Sequence, residues 1–415
     1  MRCFPLFRTI PRRLQAGRDN IAKSPSNPRD LRATLPALAA IAALVLLPVA
    51  CAAELPPAEA EFLGQIRENF AAWDADRNLS LSPAELAVRI ADPAVKAKAA
   101  AALVAVHRFS RDPNYELPPA SLATLERSLA ERRVRKLGAP DYAGAYVAAR
   151  RKLEATTDSL YGAGEPSLAD VKQERLSDCI LLAPLAAAMH RDERLVRRII
   201  TPLPGGRFAV TFPNGKRIEI DAPTDAEIAL TTSAPSQGKW LNVIEKAYGA
   251  LRRADAPPER QSGAFVDVLA APGSIGESFQ LFTSKRTGLL WLNRNGPPNA
   301  AAPAAMVDVE KLRRALALAF KEKRLVCAGT ANERFVPGMN PRHAFAVLGF
   351  ENDQLLIWDP HGRDFKPNGP PGVEYGYPTV KGRFRVPLPE FTRAFGSVIV
   401  ERDGDAPTAK PKAGR

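Results

Sequence analysis

The chain has 415 residues, more than one ordinary core fills, and 46% of them are hydrophobic, so two folded units are expected and a disordered chain is excluded. Its formal net charge of +13 is scattered through the sequence without a basic tract, which argues against a nucleic-acid partner and for a solvated face. Acidic envelope polymers and anionic lipid are the secondary partners such a charge would attract.

The first element in chain order is an uncharged apolar run, Leu35 to Ala53, preceded by Arg12, Arg13, Arg18, Lys23, Arg29 and Arg32. This is the layout of an export signal, with Ala50 and Ala52 as the small residues suited to cleavage after Ala52 or Ala53. The run also reaches the roughly 17 to 25 residues of a bilayer span, so an uncleaved anchor is the alternative. Export to the periplasm or the extracellular space is expected, with membrane or envelope association through residues 1–53. Removing this segment would take Cys3 and Cys51 with it, leaving Cys179 and Cys327 and no disulfide framework.

Residues 54–135 are helical in pattern, rich in Ala, Leu and Glu, and interrupted by two loops. In the first, Asp74, Asp76, Asn78, Ser82 and Glu85 place oxygen-bearing side chains at loop positions 1, 3, 5, 9 and 12, with Ser80 at position 7. That is the oxygen spacing of an EF-hand loop, in which a hard cation collects six or seven oxygens and a bidentate carboxylate closes the site. The metal set expected here is Asp74, Asp76, Asn78, Ser80 and Glu85, and the ion is Ca2+. Leu81 at position 8 suits a short strand between paired loops, whereas Leu79 stands at position 6, where glycine is usual because φ is positive. A weaker echo follows at residues 110–121, with Asp112, Asn114 and Leu117 in register but no closing carboxylate. A polar helix–loop–helix that holds no metal is the plain alternative.

Residues 136–164 read as a linker containing a helical stretch and ending in a Gly/Pro break at 162–166. Beyond it the pattern predicts a helix over 178–190 and a hairpin of 207–212 with 216–221 turning at Asn214-Gly215. Helices over 240–252 and 309–323 are expected next, with strands at 325–329, 343–350, 355–359 and 382–386. The fold class is therefore α+β, with a β-rich C-terminal half and a frayed tail over 404–415.

Cys179 follows a polar stretch and begins an apolar helix, with Ser177 or Asp178 as cap. Unpaired N–H groups and the helix dipole there favour a thiolate, the species that attacks a carbonyl carbon. Gln173, six residues upstream, is placed to offer its amide to the oxyanion such an attack creates. His343 opens one strand and Asp359 ends the next, where a base and its orienter sit side by side.

The stretch from Asp170 through Gln173 to Cys179 resembles the segment around the nucleophile of calpain-family cysteine peptidases. Trp240 to Tyr248 is similar to the calpain helix with a Leu-Glu-Lys-Ala-Tyr core, and His343-Ala344-Phe345 to its histidine motif. Asp359-Pro360-His361-Gly362 falls where calpains have Asn-Pro-Trp-Gly, and Gly382-Arg383-Phe384 through Phe391 and Phe395 resembles the closing strand and helix. Over residues 165–403 the resemblance implies a papain-like two-lobe cysteine peptidase domain, preceded here by a small all-α EF-hand-like domain. It implies hydrolysis of a protein or peptide substrate through a Cys179 acyl-enzyme, with His343 as base, Asp359 as its orienter and Gln173 at the oxyanion. Ser177 in place of Gly and Ile180 in place of Trp alter the floor beside the nucleophile. Asp359 in place of Asn keeps the chemistry, since a carboxylate also accepts the imidazole N–H. That carboxylate is shared with transglutaminases, so a papain-fold acyl transferase or a cell-wall peptide amidase is the first rival. A catalytically inactive calcium-binding scaffold is the second.

Other residues carry plainer expectations. Cys327 reads as a packed strand thiol, His361 as a turn residue with a further polar partner of the site as its alternative, His107 and His190 as non-catalytic, and Glu245 with Lys246 as a structural pair.

Overall fold

Loop chemistry sets the first structural unit of the computed structural model, which describes residues 55–405 except 113, 116, 257–263, 272, 293–307 and 331–335. The apolar run expected to be an export signal or anchor and the tail from 406 lie outside the described residues. Among the described residues, no helix is long and apolar enough to cross a membrane.

The N-terminal helices are α1 (Pro57–Trp73), α2 (Pro83–Ile90), α3 (Ala97–Ser110), α4 (Leu122–Arg133) and α5 (Tyr142–Ala155). Helix α2 starts with a capping box in which Ser82 Oγ accepts from the Glu85 N–H and Glu85 accepts from the Ser82 N–H. Helix α4 repeats the device with Ser121 and Thr124. The two loops meet in an antiparallel bridge between Leu81 and Ala120, where the Leu81 N–H donates to the Ala120 carbonyl at 3.0 Å. The sequence pattern places Leu117 at the second bridging position. The structure puts Ala120 there and makes Thr124 the counterpart of Glu85, because the second loop is longer before its bridge. The small residues Ala100, Ala101 and Ala102 are fully buried in α3, letting neighbouring helices approach closely. Helix α5 lies within the segment expected to be a linker and packs on α3, burying Tyr142, Ala145, Tyr146 and Ala149.

The chain continues through α6 (Cys179–Arg191), α7 (Leu195–Ile199), β1 (Ile200–Leu203), β2 (Arg207–Thr211), β3 (Arg217–Ile220), α8 (Asp225–Leu230) and α9 (Trp240–Asp255). Then come α10 (Phe265–Ala270), α11 (Ile275–Phe279), β4 (Lys285–Trp291), α12 (Val309–Lys321), β5 (Val326–Thr330), β6 (Ala344–Glu351), β7 (Gln354–Trp358), β8 (Arg383–Pro387), α13 (Leu388–Ala394) and β9 (Phe395–Asp405). The expected hairpin forms as β2 and β3, with Gly215 at φ 86°, and gains β1 on its other edge. The second sheet is antiparallel at each pairing, in the order β4-β9-β5-β6-β7-β8. Its core gathers Phe345, Leu355, Ile357, Phe391, Phe395 and Val398, with Leu312 and Leu316 of α12 packed on it. The structure is thus mixed α and β.

The helices of 57–155 and the rest of the described chain form one compact unit. Helix α8 is the joint, since Thr224 Oγ1, at its N-cap, donates to the Ile90 carbonyl at 2.6 Å and Asp225 accepts from the Ala97 N–H at 2.8 Å.

Candidate active site

Helix α6 carries Cys179 as its first residue and Asp178 at its N-cap. Pro184 lies inside the helix, where a proline costs about 3 kcal/mol or more because it removes an N–H from the ladder. The carbonyl it frees is that of Ile180, and the buried Ser278 hydroxyl of α11 donates to it. The first turns behind the thiol are thereby kept helical.

Asp178 does not cap with its side chain, contrary to one expectation from the sequence. Its carboxyl turns into the core, accepting from Thr232 Oγ1 at 3.0 Å. Burial and then the neighbouring Glu245 push its pKa well above the usual carboxylate range, which favours the neutral acid beside Cys179. Glu245 and Lys246 do not pair with each other, since adjacent residues on a helix point apart. Glu245 accepts from the Thr232 N–H at 2.9 Å, and Lys246 lies 2.7 Å from Glu227.

His343 stands directly before β6. Its backbone is fixed to the end of β5, the N–H donating to Thr330 Oγ1 at 2.9 Å and the carbonyl accepting from the Thr330 N–H at 3.0 Å. Asp359 follows β7, and its N–H donates to the Gly382 carbonyl at 2.8 Å. Pairing of β6 with β7 brings these two ends together, so that His343 Nε2 lies 2.9 Å from Asp359 Oδ1. Both side chains are buried.

Nε2 is taken by Asp359, and the same imidazole acts on the Cys179 thiol. Burial alone would push the thiol up, but the hydrogen bond and charge of His343, with the Ala344 and Ile180 N–H groups, outweigh it and lower the pKa. Burial would likewise discharge His343, yet Asp359 and Cys179 raise it to about 9. Burial would raise Asp359, but it is held down by the same imidazole and by the His361 N–H, which donates to Oδ1 at 2.9 Å. A cysteine whose pKa is lowered beside an imidazole, with a buried carboxylate behind that imidazole, can as its thiolate attack an electrophilic carbon while the imidazole moves a proton.

Gln173 is buried and held on both sides. Its N–H donates to the Pro360 carbonyl at 2.8 Å, its carbonyl lies 3.2 Å from His361 Nδ1, and its amide nitrogen donates to the Leu176 carbonyl at 2.6 Å. One amide hydrogen is left over. Glycine is required at 362, where φ is +61° and a Cβ would come within 2.3 Å of the Val171 carbonyl oxygen. This close approach seats the turn after Asp359 against the segment carrying Gln173.

Of the two sequence readings of His361, turn residue and further polar partner, its contacts favour the second. Its ring stacks on that of His343, with centroids 4.6 Å apart and planes 5° from parallel. Nδ1 donates to the Gln173 carbonyl, and Nε2, 2.6 Å from Asn340 Nδ2, accepts from it. Both bonds suit a neutral ring, and burial together with the His343 charge lowers its pKa. Donor atoms of His343, Asp359 and His361 lie within 4.8 Å of one another, but parallel rings cannot aim their in-plane lone pairs at one ion. The sequence signal for His361 is its place in the segment Asp359-Pro360-His361-Gly362, two residues beyond Asp359.

In the first loop, carboxylate oxygens of Asp74, Asp76 and Glu85 also lie within 4.8 Å of one another. Asp74 accepts from the N–H groups of Asn78 and Leu79 at 3.1 and 2.9 Å, and Asp76 from Asn78. Asn78 Oδ1 accepts from the Ser80 N–H at 2.8 Å. Glu85 accepts from Ala75, Asp76 and Ser82, and the Ser82 N–H bond leads the causes that lower its pKa. Leu79 has φ +64° and is exposed. Cys327 is fully buried in β5, where burial drives its thiol pKa well up. His107 is buried with Nε2 3.2 Å from Asp267 Oδ1, and His190 is exposed at the end of α6.

A scan against protein-family models gives no match for this chain, and a search of curated proteins gives none.

Proposed function

We propose that the chain is an exported cysteine endopeptidase of papain-like layout, resembling the calpain catalytic domain over residues 165–403. The observation that carries this reading is the buried His343–Asp359 pair at 2.9 Å, whose imidazole lowers the pKa of the thiol that begins α6. The Cys179 thiolate attacks the peptide carbonyl carbon, and the carbonyl electron pair moves to oxygen. The remaining Gln173 amide N–H and the Cys179 backbone N–H hold that oxyanion. His343 gives its proton to the leaving amine, the C–N bond breaks and a thioester remains. Water then attacks the thioester, losing its proton to His343, and the thiolate leaves with the new carboxylate released. Asp359 keeps the imidazole oriented throughout, and the neutral His361 ring covers the pair.

The presence of a carboxylate as orienter supports a second reading, acyl transfer to an amine on the same layout. Incubating the protein with fluorescein-labelled casein, with and without a dansylated primary amine, separates the two. Soluble fluorescent peptides support hydrolysis, dansyl label on casein supports transfer, and neither product with Cys179 unalkylated leaves the inactive scaffold.

The paired loops fit an EF-hand-like role. Asp74, Asp76, Asn78, Ser80 and Glu85 would hold Ca2+, since three carboxylates converge and their hydrogen-bond partners among the described residues are backbone N–H groups with the Asn78 and Ser82 side chains. Bound there, the ion would tie α1 to α2 and staple the helical half. Calorimetry on the protein and on Glu85→Gln checks this: calcium heat lost in the variant supports the site, and no heat in either removes calcium.

A further inference from the structure

Behind Gln173 lies a cluster of charges that joins the helical half to the catalytic half. Lys152 of α5 is almost wholly buried, its Nζ donating to the Thr231 carbonyl and standing 3.4 Å from Glu174 Oε1. Arg108 of α3 comes from the same half, with Nη2 3.8 Å from Glu174 Oε2. The Ser233 hydroxyl donates to Glu174 Oε1, and the Ser233 backbone is bridged to Lys172 by bonds of 2.9 and 3.1 Å. Thr232, between Thr231 and Ser233, bonds Asp178 and Glu245. The segment 231–233 therefore ties together α5, the start of α6, α9 and the strip that bears Gln173.

A buried ammonium is a poor device for stability alone, because desolvation consumes most of its attraction. Packing at position 152 would be met by a methionine. What the two cations do provide is a counter-charge to the carboxylate that follows Gln173. Without it, Glu174, about a third exposed, would stand as an unpaired anion on the strip that bears Gln173, and the Lys152 and Arg108 ties that hold that strip to α5 and α3 would be lost.

We propose that Lys152 and Arg108 are positioning residues of the active site, through which the helical half neutralises Glu174 and fixes the Gln173 strip for oxyanion binding. The inference rests on the cysteine acyl-enzyme reading of the site. It makes the helical half an intramolecular partner of the chemistry rather than a detachable module.

The test uses the full chain as wild type, Lys152→Met, Glu174→Gln and the double variant. A quenched-fluorescent peptide from a casein cleavage site reports kcat and KM. A peptide aldehyde, whose hemithioacetal oxygen takes the oxyanion position, reports binding there. Iodoacetamide reports the thiolate, because its alkylation forms no oxyanion. Lys152→Met should lower kcat by at least about tenfold with KM within about twofold, and weaken the aldehyde in parallel. The iodoacetamide rate and its pH profile should not move. In the Glu174→Gln background the same substitution should cost no more than about twofold, since the charge to be neutralised is gone. An equal loss in both backgrounds, or unchanged kcat, overturns the proposal. Should Lys152→Met fail to fold, Arg108→Gln carries the same cycle against Glu174. Wild-type protein that neither cleaves casein nor alkylates at Cys179 would instead sink the reading of the site, and the inference with it.

Discussion

Cys179 at the start of α6 and Cys327 in β5 are both buried thiols, and they are driven in opposite directions. Around Cys327 there is only apolar strand packing, so burial acts unopposed and the thiol stays protonated. Around Cys179 the same burial is outweighed by an imidazole and two backbone N–H groups. Burial therefore does not decide whether a cysteine is inert; the partner does. That partner is assembled from far away in sequence, by β6 and β7 pairing so that His343 meets Asp359.

The comparison breaks most sharply on deletion. Cys179→Ala should abolish casein cleavage while melting stays within a few degrees of wild type, whereas Cys327→Ala should keep cleavage and cost about 1 kcal/mol of stability. Activity surviving in the first variant, or lost in the second with the fold intact, would reverse the roles. Gln173→Ala should lower kcat by about 100- to 1000-fold, the usual cost of one oxyanion donor, and leave iodoacetamide alkylation of Cys179 unchanged.

Asp359 sharpens the comparison through pH. If Cys179 and His343 act as an ion pair, it forms above the lowered thiol pKa and below that of His343, so alkylation should fall on the acid side as the thiolate protonates. It should change again on the alkaline side as His343 loses its proton near pH 9. Asp359→Asn removes a charge that raises His343, so its alkaline limb should move to lower pH with much of the activity kept. Asp359→Ala should lose most of it. An unmoved limb would mean that the carboxylate does not set the base.

The smallest effect belongs to the calcium loop. Leu79 is exposed at φ +64°, so Leu79→Gly removes strain without removing packing and should tighten calcium by about 1 kcal/mol from a weak range of about 10⁻⁴ to 10⁻³ M. Flat or weakened binding in calorimetry would show that the loop does not close on an ion.

Local signals are legible in the sequence. Helix α6, the turn at Gly215, the capped loop at Asp74 to Glu85 and the strands flanking His343 and Asp359 follow from periodicity, turn residues and caps. Long-range pairing is not. β1 and β4 lack a strong alternating pattern and are held by their neighbours β2 and β9. The bridge of the second loop falls later in the chain than its spacing suggests, because Ala120 and Thr124 carry none of the carboxylate oxygens that mark the first. Stacking of His361 on His343 and convergence of Lys152 and Arg108 on Glu174 depend on contacts between segments distant in sequence, which no spacing rule records.

The most direct measurement is iodoacetamide labelling of the native chain across pH, with each cysteine followed by mass spectrometry. Cys179 should alkylate at neutral pH, faster than a free cysteine peptide and with an acid limb below the ordinary thiol range, while Cys327 reacts only after denaturation. Equal protection of both thiols in the native protein, or an ordinary thiol titration at Cys179, would contradict the account.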